Sequence, residues 1–80
     1  MLYSTYVNIN TIDKVKKFNV LTNDFNEDLF LESDNLVVDA KSILGVFSLN
    51  LMKKLKFSIM TSNESRFIDL KRKFDEFVVE

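Results

Sequence analysis

Apolar and polar residues alternate in four short stretches of the chain, and a period of two is typical of a half-buried β-strand. The residues that share one face of each stretch are Tyr3, Thr5, Val7 and Ile9, then Leu29 and Leu31, then Leu36, Val38 and Ala40, and finally Leu55, Phe57 and Ile59. Between the second and third stretches lies only Ser33-Asp34-Asn35, whose residues tolerate left-handed backbone. The pattern therefore predicts four strands, of which the middle two form a hairpin.

Two longer segments show the apolar spacing of amphipathic helices. Asn10 or Thr11 can cap the first helix, and Thr61 and Glu64 have the spacing of a capping box before the last one. The residues expected on the buried sides are Ile12, Val15, Phe18 and Leu21 or Thr22 in the first helix, and Phe67, Leu70, Phe74, Phe77 and Val78 in the last.

A third, shorter helix is predicted after Ser42, where the chain runs Ile43-Leu44-Gly45-Val46-Phe47-Ser48-Leu49. Ser42 is its expected N-cap, and a left-handed Asn50 is expected to end it. The element order is then β-α-β-β-α-β-α. Four half-buried strands and three helices can cover their apolar sides only if the helices pack on one face of the sheet. We therefore predict a single α+β domain over residues 1–80, an open-faced sandwich with a four-stranded antiparallel sheet.

Composition excludes most familiar enzyme chemistry. The 80 residues include no Cys and no His, so the chain has no thiolate or imidazole to serve as nucleophile, base or metal ligand. A single Gly excludes the glycine-rich loops that cradle phosphates. The acidic turn from Asn23 to Asp28 lacks the ligand spacing of a calcium loop. We therefore expect no catalytic residue, no metal and no cofactor.

Charge and hydropathy narrow the range of partners. Eleven basic residues against twelve acidic ones give a net charge of −1, which argues against nucleic-acid binding. No apolar run approaches the roughly 20 residues needed to span a bilayer, and the first residues do not resemble a signal peptide. We therefore expect a cytoplasmic protein whose partners are other proteins.

Ser42 is the candidate regulatory residue. A phosphate at a helix N-cap would be held by exposed backbone amides and by the positive end of the helix dipole. The following segment is more apolar than one side of a short helix can bury, which indicates an exposed docking surface. The pattern alone fits equally well a plain N-cap above a core helix.

The segment from Asp39 to Leu49 resembles the regulatory-serine region of HPr, the phosphocarrier of the bacterial sugar phosphotransferase system. That family reads Asn-(Ala or Leu)-Lys-Ser-Ile-Met-Gly-Val-Met-Ser-Leu there, and it has the same β-α-β-β-α-β-α order. Asn50 and Asn63 fall where the family commonly has Gly. The resemblance covers nearly the whole chain and implies the HPr-like fold.

The chain departs from this family at the phosphate-carrying histidine. The family has Gly-(Leu or Ile)-His-Ala-Arg-Pro before its first helix, and its spacing places Thr11 at the His position. Ile12, Asp13 and Lys14 replace Ala, Arg and Pro. Since a threonine phosphate ester is too stable to hand its phosphate on, the departure implies that carrier activity is lost.

The resemblance therefore implies a regulatory or protein-binding module. Ser42 would be phosphorylated by an enzyme of the HPr kinase/phosphorylase type, and Ile43, Leu44 and Phe47 would form the docking surface. A transcription regulator is the other implied class of partner. Two alternatives remain open, namely a phosphotransferase-system carrier that uses another acceptor such as Thr11, and an unrelated protein-interaction domain that shares the fold.

Overall fold

The protein is described from a computed structural model that covers residues 1–79, so Glu80, the last residue of the predicted domain, lies outside the described residues. Its elements follow the predicted order and are β1 (Leu2–Val7), α1 (Ile12–Thr22), β2 (Leu29–Ser33), β3 (Leu36–Asp39), α2 (Ile43–Phe47), β4 (Leu55–Met60), α3 (Glu64–Lys73), a 3-10 turn (Asp75–Phe77) and β5 (Val78–Val79). The α+β class is thereby confirmed.

The strands form one antiparallel sheet in the order β3-β2-β4-β1-β5. Phe57 at its centre lies opposite Thr5 on β1 and Leu31 on β2. These three residues and the alternate residues in line with them along each strand lie on the face that the helices cover, which confirms the open-faced sandwich. The sheet has five strands rather than the predicted four, because Val78 and Val79 pair with Val7 and Tyr6.

Aromatic rings fill the space between the sheet and the helices. Phe18 of α1 lies 4.8 Å from Phe57 of β4 and 4.9 Å from Phe74, measured between ring centroids. Phe77 also contacts Phe18, at 5.6 Å. These rings are tilted or edge-on to one another, the arrangement that aromatic quadrupoles favour, and they join both long helices to the centre of the sheet.

The last helix ends earlier than its apolar pattern predicts. Phe74 has φ −103° and ψ 18°, outside the α-helical region, and α3 stops at Lys73. The 3-10 turn that follows still brings Phe77 into the core and lets Val78 start β5. A turn and a strand therefore bury the residues whose spacing had indicated a helix, and the prediction of one continuous helix was wrong.

Ile12 was wrongly assigned to the buried side of α1. Its side chain is exposed, whereas Val15, Phe18 and Thr22 are buried. Residues spaced three apart on an α-helix are rotated about 60° from one another around the helix axis. The first residue of the series, Ile12, therefore points away from the side of the helix that the later residues bury. Of the two alternatives at the end of the series, Thr22 is buried and Leu21 only partly so.

The left-handed backbone predicted for the hairpin turn was correct, and the one predicted for Asn50 was wrong. Asp34 and Asn35 have φ of 51° and 67°, as the hairpin turn requires. Asn50 and Asn63 do not adopt positive φ. Asn63 instead caps α3, with its side chain accepting from the Ser65 N–H, so the predicted cap at Thr61 was two residues too early.

Candidate functional site

Ser42 caps α2, as its position in the sequence predicts. The backbone N–H of Gly45 donates to Ser42 Oγ over 3.2 Å, and the N–H of Val46 donates to the Ser42 carbonyl over 2.9 Å. Ser42 has extended backbone, with φ −90° and ψ 111°, and its side chain is exposed. The hydroxyl is therefore both ordered by a helix terminus and reachable from solvent.

Three apolar side chains of α2 project into solvent beside Ser42. Leu44 is 81% exposed, Phe47 44% and Ile43 38%, and together they are called the α2 surface below. Val46 on the same helix is fully buried. Since a helix that only covered a core would bury most of its large apolar side chains, the interpretation of Ser42 as a plain cap above a core helix does not account for this surface.

The segment that leads into α2 is fastened by Lys41 and Asn19. The Asn19 side-chain amide donates to the Lys41 carbonyl over 3.1 Å, which ties α1 to the residue before Ser42. The Lys41 ammonium donates to the Phe25 carbonyl over 2.6 Å, and the Lys41 N–H donates to Asp39 Oδ1 over 2.9 Å. Neither residue was predicted to be a positioning group, because these contacts join segments that no local pattern relates.

Gly45 lies where α2 approaches β3. A Cβ added at this position would lie 3.4 Å from Ser42 Oγ and 3.4 Å from Val38 Cβ, which is ordinary van der Waals contact. Its φ is not positive, so neither the available space nor the backbone conformation requires glycine here.

Thr11 stands at a different place, the N-cap of α1. Its Oγ1 accepts from the Lys14 N–H over 3.1 Å, which selects Thr11 rather than Asn10 among the two predicted caps. Asp13 lies in the first turn and is exposed. Thr11 is also exposed, and it lies about 12 Å along the helix axis from Asn19, the residue that contacts the α2 segment.

Two titratable side chains, Glu27 and Arg66, have shifted pKa values. Arg66 lowers the pKa of the Glu27 carboxyl through a hydrogen bond, and Glu27 raises the pKa of Arg66 in return. This pair fastens α3 to the segment before β2. Within residues 1–79, no three acidic side chains are grouped so that they could hold a metal ion, and no helix is both long and apolar enough to cross a membrane.

No protein-family model and no curated protein sequence matches the chain. Solved structures do match it. The phosphocarrier protein HPr from Bacillus anthracis str. Ames is similar with a TM-score of 0.75 and 22% identity, over 95% of this chain and 96% of that one. HPr-C-His from Thermoanaerobacter tengcongensis is similar with a TM-score of 0.67 and 25% identity, over 94% of this chain and 96% of that one. These likenesses confirm the predicted HPr-like fold.

Proposed function

We propose that this chain with an HPr-like fold carries no phosphate on histidine and acts as a regulatory or protein-binding module through Ser42 and the α2 surface. The observation that carries the proposal is the exposed, helix-capping Ser42 hydroxyl next to the solvent-exposed Ile43, Leu44 and Phe47. A modifying enzyme can reach this hydroxyl, and a partner can cover the apolar side chains beside it.

Phosphorylation of Ser42 is compatible with the structure around it. Ser42 Oγ would attack the γ-phosphorus of a nucleoside triphosphate, and the new O–P bond would form as the bond to the departing diphosphate breaks. The hydroxyl proton passes to a base of the kinase. A phosphate adds acceptor oxygens and about two negative charges next to the N–H of Gly45, so it can keep the cap while changing the surface.

The absence of any His supports the loss of carrier activity. Reversible transfer needs an acceptor whose phosphate is readily passed on, and a phosphoimidazole has this property whereas a threonine ester does not. Thr11 is exposed at a helix N-cap, which keeps it as the alternative acceptor. Its oxygen already accepts the Lys14 N–H, and the acidic Asp13 nearby disfavours a second anion.

Two incubations followed by intact-mass and peptide analysis test the proposal. With phosphoenolpyruvate and enzyme I the mass should remain unchanged. With ATP and an HPr kinase/phosphorylase one acid-stable phosphate should be added, and Ser42→Ala should abolish it while Ser48→Ala, a nearby exposed serine, should not.

Other outcomes of these incubations would support the alternatives. Phosphate on Thr11 from the first incubation would establish the carrier alternative. If neither incubation changes the mass, the chain is a protein-interaction domain that shares the fold, and its partner is neither of these enzymes. A transcription regulator remains the proposed downstream partner of the phosphorylated form, to be tested by comparing its binding to the two forms.

A further inference from the structure

The face of the sheet that no helix covers carries its own set of side chains. The register of the strands places these residues together on it: Val37 and Asp39 of β3, Phe30 and Glu32 of β2, Lys56, Ser58 and Met60 of β4, Leu2, Ser4 and Tyr6 of β1, and Val79 of β5. This group is called the open face below. It lies on the opposite side of the sheet from α2, so it is independent of the proposed function.

The open face is unusually apolar for a sheet surface in contact with water. Val37 is 54% exposed and Leu2 48%, and Tyr6 and Met60 are also exposed. At the centre, the hydroxyls of Ser4 and Ser58 bond to each other over 2.7 Å, so they offer little to solvent. Solvated faces of antiparallel sheets usually alternate to polar residues, so a face of this kind indicates a surface that another molecule covers.

Charges on the open face are separated by sign. Glu32 and Asp39 lie on the β2–β3 side, whereas Lys54 and Lys56 lie towards β4 and β1. Lys54 extends over the ring of Tyr6, with its Nζ 4.8 Å from the ring centroid. Within residues 1–79, none of these four charged groups is in an ion pair. The face therefore has acidic groups on its β2–β3 side and basic groups on its β4–β1 side, and the two sides meet where Glu32 lies opposite Lys56 on the neighbouring strand.

We infer that the open face binds a second copy of this chain, face to face, about a two-fold axis parallel to the strands. That axis places β2 of each copy over β1 of the other. Glu32 of each copy then faces Tyr6 and Lys54 of the other, so the contact occurs two times in the dimer. An axis across the strands would instead place Asp39 over Asp39 and Phe30 over Phe30. Only the first arrangement joins opposite charges, and an interface between identical patches must be self-complementary.

The size of the open face sets the strength of this dimer. Five strands about 4.8 Å apart and two to six residues long present at most roughly 400 Å² per copy. A standard stable interface buries about 800 Å² per partner, so this one belongs to the weak class. We therefore expect a reversible dimer that forms at roughly 0.1–1 mM protein.

Sedimentation equilibrium of the whole chain, over protein concentrations from roughly 10 μM to 2 mM, tests this inference. Val37→Lys and Met60→Lys place new charges on exposed positions of the open face, and each should raise the dissociation constant at least about tenfold. Leu44→Lys is the matched control, since it changes an equally apolar, exposed side chain on α2. Circular dichroism should show all three folded.

A charge exchange tests the orientation of the two copies. Glu32→Lys and Lys54→Glu should each weaken self-association, because each creates two like-charge contacts. An equimolar mixture of the two variants should associate more tightly than either alone, because every such contact is then between opposite charges. Lys56 lies on the central strand, so the two-fold axis places it near Lys56 of the other copy. Lys56→Gln removes the repulsion between these two charges and should therefore tighten the dimer.

Several results would overturn the inference. A chain that stays monomeric over the whole range has no second copy on this face. If Leu44→Lys dissociates the dimer and Val37→Lys has no effect on it, then the two copies associate through α2 and not through the open face. If mixing the Glu32→Lys and Lys54→Glu variants does not restore association, the two copies have a different orientation from the one inferred.

Discussion

Arg66 and Glu27, 39 positions apart in the sequence, form a bidentate ion pair. Arg66 Nε donates to Glu27 Oε2 over 2.6 Å, and a terminal guanidinium nitrogen donates to Oε1 over 3.2 Å. The guanidinium also lies over the ring of Phe25, 4.8 Å from its centroid. Because two parallel bonds fix the planes of both groups, this contact holds the start of α3 against the segment that leads into β2.

This pair makes the stability of the protein sensitive to acid. The pKa of Glu27 lies below its ordinary 4.5 because Arg66 binds the carboxylate. The contribution is therefore present above pH 4.5 and is lost as pH falls through the lower folded-state pKa. We expect Glu27→Gln to lower the free energy of unfolding at pH 7 and to show a smaller further loss at pH 3, measured by urea denaturation.

The matched control for Glu27 is Glu76→Gln. Glu76 pairs with Lys17 at 2.9 Å, but both side chains are at least half exposed. Such surface pairs contribute little to stability. An acid response of this variant as large as that of Glu27→Gln would show that the Arg66 contact is not special.

Leu70 should be among the most sensitive core positions. It is fully buried on the sheet side of α3. We expect Leu70→Ala to cost about 2–4 kcal/mol, a large part of the roughly 4–12 kcal/mol available to a chain of this size. Ile68→Ala, on the exposed side of the same helix, should change the free energy of unfolding by less than about 0.5 kcal/mol. Equal effects in thermal denaturation would contradict the docking of α3.

Substitutions of Ser42 separate its capping role from its charge. Ser42→Ala removes the acceptor of the Gly45 N–H and should cost about 0.5–1 kcal/mol. Ser42→Asp keeps an acceptor and should cost less than about half of that. Urea denaturation measures both. A loss of structure in the Asp variant would mean that negative charge melts α2 instead of being accommodated there.

The α2 surface should serve recognition rather than stability. Leu44→Ala and Phe47→Ala should lower kcat/KM for phosphorylation of Ser42 while leaving the free energy of unfolding within about 0.5 kcal/mol of the parent. Val46→Ala is the opposite control, because Val46 is fully buried and its truncation should cost about 1.5–3 kcal/mol. Enzyme kinetics alongside denaturation would show whether the two effects separate in this way.

Asn35 tests the hairpin turn. Its φ of 67° lies in the left-handed region, which costs an ordinary side chain about 1 kcal/mol or more. We expect Asn35→Ala to destabilise the protein by about that amount and Asn35→Gly to be neutral or stabilising, as judged by thermal denaturation. Destabilisation by both would indicate that the Asn side chain itself is required.

Local features were the ones that sequence analysis predicted well. The Asp34-Asn35 turn and the Ser42 cap depend on residues within one turn of each other, so their chemistry is visible in the sequence. The HPr-like fold followed from the order of such elements together with the resemblance around Ser42.

Features that depend on distant contacts were missed. Phe77 has helical spacing from Leu70, and only its packing on Phe18 and the pairing of Val78 with Val7 show that a turn has replaced the helix. The link from Asn19 to Lys41 likewise joins residues 22 positions apart. No periodicity within a segment reports contacts of this kind.

The register that sets Ser4 opposite Ser58 also determines the order in which the chain can fold. β1 precedes its principal partner by some fifty residues, whereas β2 and β3 are neighbours joined by a turn. The hairpin can therefore form early, but the first strand must wait until β4 has closed a long loop between them. Loop closure of this length slows folding, so we expect relaxation in milliseconds or longer, with the Asp34-Asn35 hairpin structured in the transition state before β1 is docked.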